Sequence, residues 1–244
     1  KSRVRFVRTS KRSDTSLWPS KEKLSSESQK LSRASDDKGN SQLIPSDSNL
    51  LSEVMGKSEY VASRGAGTDP YGVYHFESIS KDLNSLYKVQ NKRTGRMKIK
   101  VRNVEMSIEK EYIYPVVMGD DIDDHQLNGF RHALIVQDFK KGHAVAKSEL
   151  LTKAPNTLKY LNKYEEVLKN RNSNFVINLM NRSEFYSMYG INEAILSKYK
   201  VAWSRMGNKF KIAALISEKD PILDQEKAII PGDTTSYIAF SSEQ

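Results

Sequence analysis

Strand and helix patterns occupy separate stretches of this chain, and that separation limits its possible folds more than any other sequence feature. Strand patterns dominate up to about residue 136 and return after residue 199. Helix signals lie between them, from Pro155 to about Ser197. Elements that are segregated in runs favour an α+β fold over a doubly wound one. We therefore expect mixed, mainly antiparallel twisted β-sheets with a few helices packed alongside.

The N-terminal part combines a basic strand pattern with a polar tract. Residues 3–8 (RVRFVR) alternate cations with apolar residues, as an edge strand with one cationic face does. The Ser-rich tract at 20–48 has little to bury, so we expect a connecting arm, or an exposed helix followed by a loop. Residues 47–56 have the pattern of a short capped helix. The sequence thus predicts a basic strand and polar arm at 1–49 and a domain at 50–244.

The densest charge lies in residues 81–102, where eight Lys or Arg residues face one acid, Asp82. In 86–90 and 97–104 the cations alternate with apolar residues, so two paired strands would place the charges on one face. Residues 91–96 have the composition of the turn between them. The pattern favours a hairpin that binds a polyanion over an ordinary solvated face. The candidate contacts are Lys88, Lys92, Arg93, Arg96 and Lys98.

A Gly-rich loop precedes this hairpin and leads into a predicted strand at 73–76. Residues 64–74 (RGAGTDPYGVY) include Arg64 and Tyr71, which supply a forked donor and a flat stacking face. Glycines allow close approach of the backbone to a ligand. The pattern indicates a flexible recognition loop, and the alternative is a loop that only turns the chain.

The C-terminal part returns to strand patterns at 199–204 and 210–216. We expect Trp203 to pack in the core, as a Trp in an alternating strand commonly does. Arg205, Asn208 and Lys209 occupy the intervening turn and are candidates for groove contacts, where Arg pairs with guanine and Asn with adenine.

The overall composition agrees with a polyanionic partner, because the formal net charge is +9. An anionic membrane surface would also fit this charge, but no apolar run reaches the roughly 20 residues that span a bilayer. The chain has no Cys, which excludes disulfides and Cys-ligated zinc and fits a cytoplasmic location. It has no secretory signal pattern and begins without Met, so we expect a fragment of a longer protein.

The sequence contains only weak matches to known catalytic motifs. Asp120, Asp121, Asp123 and Asp124 precede His125, and such carboxylates hold magnesium in nucleases, although a solvated loop has the same composition. Neither a Gly-x-Ser-x-Gly elbow nor a P-loop is present. Residues 65–67 superficially resemble the cofactor loop of class I methyltransferases but follow no hydrophobic strand. Residues 69–71 (DPY) are one proline short of the Asn/Asp-Pro-Pro-aromatic motif, so we assign them no catalytic role.

Four blocks follow one another in an order typical of a known family. They are 64–68 (RGAGT) with 71–74 (YGVY), 112–122 (YIYPVVMGDDI), Pro155 with 160–161 (YL) and 168–171 (LKNR), and 199–203 (YKVAW). In these blocks the chain resembles the C-terminal target-recognition domain of bacterial adenine-N6 DNA methyltransferases and fused restriction–modification enzymes, the TaqI-like group. The resemblance covers roughly residues 50–244. Asp69 and Pro70 depart from the family, which usually has a Gly/Asn pair there.

The resemblance implies a double-stranded DNA specificity domain that is catalytically silent when isolated. Methyl transfer, bound S-adenosylmethionine and the base-flipping pocket would belong to a methyltransferase domain of the same polypeptide, N-terminal to Lys1, with no cofactor in this chain. In the loop, Arg64, Thr68 and Tyr71 would contact DNA. The alternatives are a metal-dependent nuclease that uses the Asp120–Asp124 cluster, and an RNA-binding or protein-docking module.

Overall fold

The chain divides into two compact units, residues 1–59 and residues 60–244. The computed structural model describes three strands within residues 2–45, and then residues 58–92, 101–207 and 209–242. The observed boundary lies ten residues beyond the predicted one. The short helix predicted at 47–56 lies outside the described residues.

The first unit contains one antiparallel sheet. Its strands are β1 (Ser2–Thr9), β2 (Leu24–Ser35) and β3 (Ser41–Pro45), in the order β1-β2-β3. The strand predicted at 3–8 is confirmed. The prediction of an arm or exposed helix at 20–48 is wrong, because this tract supplies β2 and β3. Sheet pairing uses backbone N–H and C=O groups, which a Ser-rich segment offers as readily as an apolar one.

The second unit holds all the other described elements. In chain order they are β4 (Ser63–Arg64), α1 (Tyr71–Tyr74), β5 (Phe76–Lys81), β6 (Tyr87–Asn91), β7 (Glu105–Ile108), β8 (Ile113–Val117), β9 (Ile122–Asp123), β10 (Gln126–Leu127), β11 (Arg131–Leu134), β12 (Gln137–Asp138), β13 (His143–Ala144), α2 (Lys147–Lys153), α3 (Pro155–Asn162), α4 (Glu165–Lys169), α5 (Asn174–Arg182), β14 (Tyr199–Ser204), β15 (Ile212–Ile216), β16 (Lys219–Asp220), β17 (Gln225–Glu226), β18 (Ile230–Pro231) and β19 (Thr235–Phe240). Short 3-10 turns occur at Leu83–Ser85 and Glu193–Leu196.

Three sheets organise the second unit. Strands β15-β14-β19-β4 form an antiparallel sheet, as do β5-β6-β7, whereas β11-β8-β18 is mixed because β18 runs parallel to β8. The pairs β9–β10, β12–β13 and β16–β17 form short antiparallel ribbons. The predicted α+β fold with mainly antiparallel sheets is confirmed.

The core surrounds β8 and β11. Ile113, Val116 and Val117 of β8 are fully buried, and so is the apolar run 133–136 that forms the end of β11 and the residues after it. A strand that is covered on both faces has no polar side to alternate with, which explains the continuous apolar runs in both segments. The buried strand predicted at 133–136 is therefore confirmed.

The predicted helix after Pro155 occurs as two helices, α3 and α4. Its expected apolar positions, including Leu158 and Leu161, are buried. The Glu109 carboxylate accepts hydrogen bonds from the backbone N–H groups of Asn156 at 2.9 Å and Thr157 at 2.7 Å, which caps the start of α3. Among the described residues, no helix is both long enough and apolar enough to cross a membrane.

Three local predictions are corrected. Residues 73–74 belong to helix α1 rather than to a strand, since the backbone N–H of His75 donates to the carbonyl of Tyr71 at 2.8 Å, which closes a helical turn. Strand β6 alternates as expected, but its partner β7 begins at Glu105, and the described part of the predicted partner, 101–104, is not a strand. Trp203 is only partly buried, because Lys200 and Ala202 occupy the inward face of β14.

Candidate functional site

The Gly-rich segment 65–68 lies inside the second unit, so the prediction of a flexible ligand-approaching loop is wrong for these residues. All four are buried. Gly65 N–H donates to Thr235 O at 3.1 Å, Ala66 N–H to Pro231 O at 2.7 Å, and Gly67 N–H to Tyr189 O at 2.8 Å. A Cβ at Gly65 would overlap Gly232, and one at Gly67 would overlap the Tyr189 ring. The glycines thus permit close approach of the chain to itself.

Thr68 supports this segment from within. It is fully buried, and its hydroxyl lies 2.7 Å from Nε2 of His75. Burial lowers the pKa of His75 to about 3, and the nearby charges of Lys92 and Arg131 act in the same direction. The imidazole is therefore neutral at physiological pH. In this structure Thr68 contributes to the loop's internal bonding and offers no exposed surface.

The residues on either side of the buried segment line a cleft of about 900 Å³, which we call the tyrosine cleft. Its aromatic walls are Tyr71, Phe175 and Tyr189. The Arg64 guanidinium lies over the Tyr189 ring, 4.8 Å from its centroid, and donates to the Tyr189 hydroxyl at 3.1 Å. Asp69 and Asp233 also line this cleft. Arg64 and Tyr71, which the sequence singles out, therefore share one concave surface.

A second cleft of about 700 Å³, the lysine cleft, adjoins the first because Tyr71 lines both. Its charged lining residues are Lys92, Asp120, Arg131, Lys209 and Lys211. Arg131 is paired with Asp120 at 2.8 Å, and Lys211 is paired with Asp123 at 3.1 Å. Within the described part of the chain, Lys92 and Lys209 form no such ion pair. The lysine cleft therefore carries an excess of positive charge.

The segment after β18 connects the two clefts. Tyr71 donates from its hydroxyl to Oδ1 of Asp233 at 2.5 Å, and Arg205 donates from Nη1 to the Asp233 carbonyl at 2.9 Å. Burial and this hydrogen bond to Asp233 raise the pKa of Tyr71, so the hydroxyl keeps its proton. The Thr234 hydroxyl accepts from Gly119 N–H at 2.7 Å, which fixes the segment to the loop after β8. Asp233 thus holds Tyr71 and Arg205 in place.

Sequence reasoning missed Asp233. It is 162 residues from Tyr71 in the chain, and the only local signal is its place after Pro231 and Gly232, which indicates a turn and nothing about a partner.

The acidic residues 120–124 do not converge on a common point. Arg131 binds Asp120 and also Asp121, at 2.7 Å, while Asp124 is 2.9 Å from the His125 ring. Asp121 also accepts from Met118 N–H at 2.8 Å. In residues 58–92, 101–207 and 209–242, no group of three or more His, Asp or Glu side chains is placed to hold a metal ion. Asp120 and Asp121 act as ion-pair partners of Arg131, and Asp123 of Lys211.

The remaining predicted contacts divide into two groups. Lys88 lies on the exposed face of β6, forms an ion pair with Glu105 at 2.7 Å, and lines neither cleft. Arg93, Arg96, Lys98 and Asn208 lie outside the described residues. Of the eleven predicted DNA contacts, the structure brings Arg64, Tyr71, Lys92, Arg205 and Lys209 to the two clefts or their rim.

No family model matches the chain. The chain is 25% identical over 197 residues to the type II methyltransferase M.NspV of Nostoc sp., an alignment that covers 70% of this chain. The chain spans 38% of the length of that relative.

Proposed function

We propose that residues 60–244 recognise a specific sequence in double-stranded DNA, as the specificity domain of a restriction–modification adenine-N6 DNA methyltransferase. The observation that carries this proposal is the pair of adjoining clefts that share Tyr71. Four cations lie in or beside them with no ion pair to a carboxylate in the described part of the chain, namely Arg64, Lys92, Arg205 and Lys209. Unpaired cations on a concave surface attract the phosphates of a duplex.

The two kinds of contact that DNA recognition needs are both available. Lys92 and Lys209 in the lysine cleft are suited to phosphate oxygens, which provide affinity and register. Arg205 is exposed on the turn after β14, and its forked donors match the O6 and N7 atoms of guanine. Because Nη1 of Arg205 is already held by the Asp233 carbonyl, its planar head is oriented before DNA arrives.

The similarity to M.NspV supports a division of labour. This chain spans 38% of that relative, which leaves room in the relative for a separate methyltransferase domain. The Gly-rich segment does not fit S-adenosylmethionine, because Gly65 and Gly67 contact Gly232 and Tyr189 and leave no cradle for a cofactor. In this proposal the chain binds and orients DNA, and methyl transfer belongs to another domain of the same polypeptide.

Selection from a library of random DNA duplexes tests the proposal. The 244-residue chain is mixed with the library, bound duplexes are recovered over several rounds, and the enriched sequences are read. We expect a single short motif to be enriched. Arg205→Ala is expected to relax the preference at one position, at a cost of about 1–3 kcal/mol in discrimination.

The alternative functions predict different results in assays of the same purified protein. Recovery without any enriched motif, together with equal competition by RNA, would replace the proposal with a general RNA-binding module. Cleavage of duplex DNA with magnesium or manganese would instead favour the nuclease alternative.

A further inference from the structure

The two clefts differ in net charge, so each is suited to a different chemical group of a ligand. The lysine cleft has excess positive charge. The tyrosine cleft has two arginines, Arg64 and Arg171, and two carboxylates, Asp69 and Asp233. Its formal charge is therefore balanced. A phosphate is favoured in the first cleft and beside the exposed Arg64, whereas the carboxylates would repel it beside Asp69 and Asp233.

Arg171 is committed to the protein rather than to a ligand in the tyrosine cleft, because all three of its guanidinium nitrogens already donate to backbone carbonyls. It is buried, and it donates to the carbonyls of Leu168 at 2.9 Å, Ser187 at 2.8 Å and Phe185 at 2.7 Å. Its structural role is to connect the end of α4 to the segment that leads to Tyr189.

The acceptors in this cleft are more available than its donors. Asp69 is exposed, and within the described part of the chain its carboxylate makes no side-chain hydrogen bond. Burial of part of the group and the neighbouring charge of Asp233 raise its pKa, while Arg171 opposes that shift. Asp233 accepts the hydrogen bond of the Tyr71 hydroxyl through one carboxylate oxygen, Oδ1. A ligand group that donates hydrogen bonds without bringing negative charge suits this arrangement.

Flat aromatic surface is the other property of the tyrosine cleft. Phe175, at the start of α5, is 60% exposed, although it lies edge-on to Tyr189 with ring centroids 6.0 Å apart. Tyr189 is backed by Gly67, and Tyr71 is anchored by Asp233, so both rings are held in place. A volume of about 900 Å³ is larger than one base needs.

We propose that the tyrosine cleft binds an unstacked nucleobase with an exocyclic amino group, such as adenine or cytosine, from DNA whose phosphates lie in the lysine cleft. The aromatic walls stack on the base, and Asp69 accepts from its amino group. Because Tyr71 lines both clefts, the two subsites are separated by about the width of one side chain. A base and the phosphates of its own nucleotide are separated by a similar distance. This inference rests on the proposed function and adds a second ligand-binding position to it.

The test uses the full 244-residue chain and four short duplexes of one sequence. One duplex is fully paired, and the other three have a single unpaired cytosine, adenine or thymine at the centre, since an unpaired base costs less to unstack. Affinities are measured by fluorescence anisotropy at one fixed salt concentration. We expect the unpaired cytosine and adenine duplexes to bind roughly tenfold more tightly than the paired one, as stacking of one base on aromatic side chains predicts.

Two variants locate the effect in the tyrosine cleft. Phe175→Ala is expected to remove most of the preference for the unpaired base, measured as the ratio of its affinity to that of the paired duplex in the same variant. Phe210→Ala is the matched control, because Phe210 is 70% exposed and lines neither cleft. Asp69→Asn is expected to reduce the difference between unpaired cytosine and unpaired thymine, since an amide donates to the thymine carbonyl.

The outcomes separate this inference from the proposed function. If the paired duplex binds and the unpaired bases give no gain, or if Phe175→Ala and Phe210→Ala lower the preference equally, the inference fails and duplex recognition stands. If the wild-type chain binds unpaired thymine as tightly as cytosine, the role of Asp69 fails. If no duplex binds, the proposed function itself fails. Circular dichroism spectra of each variant show whether it is folded.

Discussion

The salt dependence of DNA binding follows directly from the cations at the two clefts. Arg64, Lys92, Arg205 and Lys209 have no carboxylate partner in the described part of the chain. If each neutralises one phosphate, the logarithm of the association constant falls with the logarithm of salt concentration with a slope of about −3.6. Between about 50 and 200 mM salt, affinity is then expected to fall by about 150-fold.

Removing one of these cations should change the slope by a predictable amount. In Lys209→Ala three contacts remain, so the slope becomes about −2.7 and the loss over the same salt range becomes about 40-fold. Lys88→Ala is the matched control, because Lys88 is exposed but is paired with Glu105 at 2.7 Å outside both clefts. We expect Lys88→Ala to leave the slope unchanged. Anisotropy titrations of a labelled random-sequence duplex at four or more salt concentrations give each slope.

Two results would refute this reasoning. A wild-type slope shallower than about −1 would mean that fewer than two phosphates are neutralised, which is incompatible with a duplex lying along the clefts. Equal changes of slope in Lys88→Ala and Lys209→Ala would show that the duplex contacts the exposed face of β6 as much as the lysine cleft.

Three further predictions concern stability. Glu109→Gln is expected to cost about 1–3 kcal/mol in urea unfolding, because one acceptor oxygen at the start of α3 becomes a donor that faces Thr157. Burial alone would raise the pKa of Glu109, but hydrogen bonds from α3 lower the pKa overall from its ordinary value of 4.5. The stabilisation by the Glu109 carboxylate is therefore present above pH 4.5 and is lost as the pH falls through the lower pKa of the folded state. In acid titrations, Glu109→Gln should lack this loss of stability. Gly67→Ala should lower the melting temperature, by the equivalent of about 1–3 kcal/mol, because its Cβ overlaps the Tyr189 ring, and an unchanged value would contradict the observed packing. Burial lowers the pKa of Lys200 to about 8, so the unfolded chain binds a proton between pH 8 and 10.5 that the folded chain lacks. Stability should therefore rise with pH across this window, and it should rise less steeply in Lys200→Met, where the remaining contribution comes from Lys227, whose pKa burial also lowers to about 8.

Local patterns in the sequence were sufficient for much of the fold. Strands β14 and β15 lie within the strand patterns at 199–204 and 210–216, and helix α3 begins at Pro155, where the helix signals begin. The buried run 133–136 was equally clear, since residues with no polar alternation fit only a covered strand. In contrast, the Ser-rich tract that forms β2 and β3 has no such pattern, because its pairing depends on the backbone.

The candidate site was predictable only in part. Arg64, Tyr71, Arg205 and Lys209 were recognisable from the sequence because arginine, lysine and tyrosine near turns have the chemistry that a polyanion requires. The grouping of these residues around shared clefts was not recognisable. Clustering of charge along the chain also gave no indication that Lys88 pairs with Glu105 of the neighbouring strand.

What the sequence by itself determined is the α+β class, the main strand and helix positions, and the basic character of the chain, since these depend on residue type and short-range spacing. Only the tertiary structure decided that residues 65–68 are interior, that Asp233 holds Tyr71 and Arg205, and that one cleft is cationic while its neighbour is balanced in charge. The physical reason is that close approach and charge pairing depend on distance in space. Tyr71 and Asp233 are 162 residues apart in the chain, and only folding places their oxygens 2.5 Å from each other.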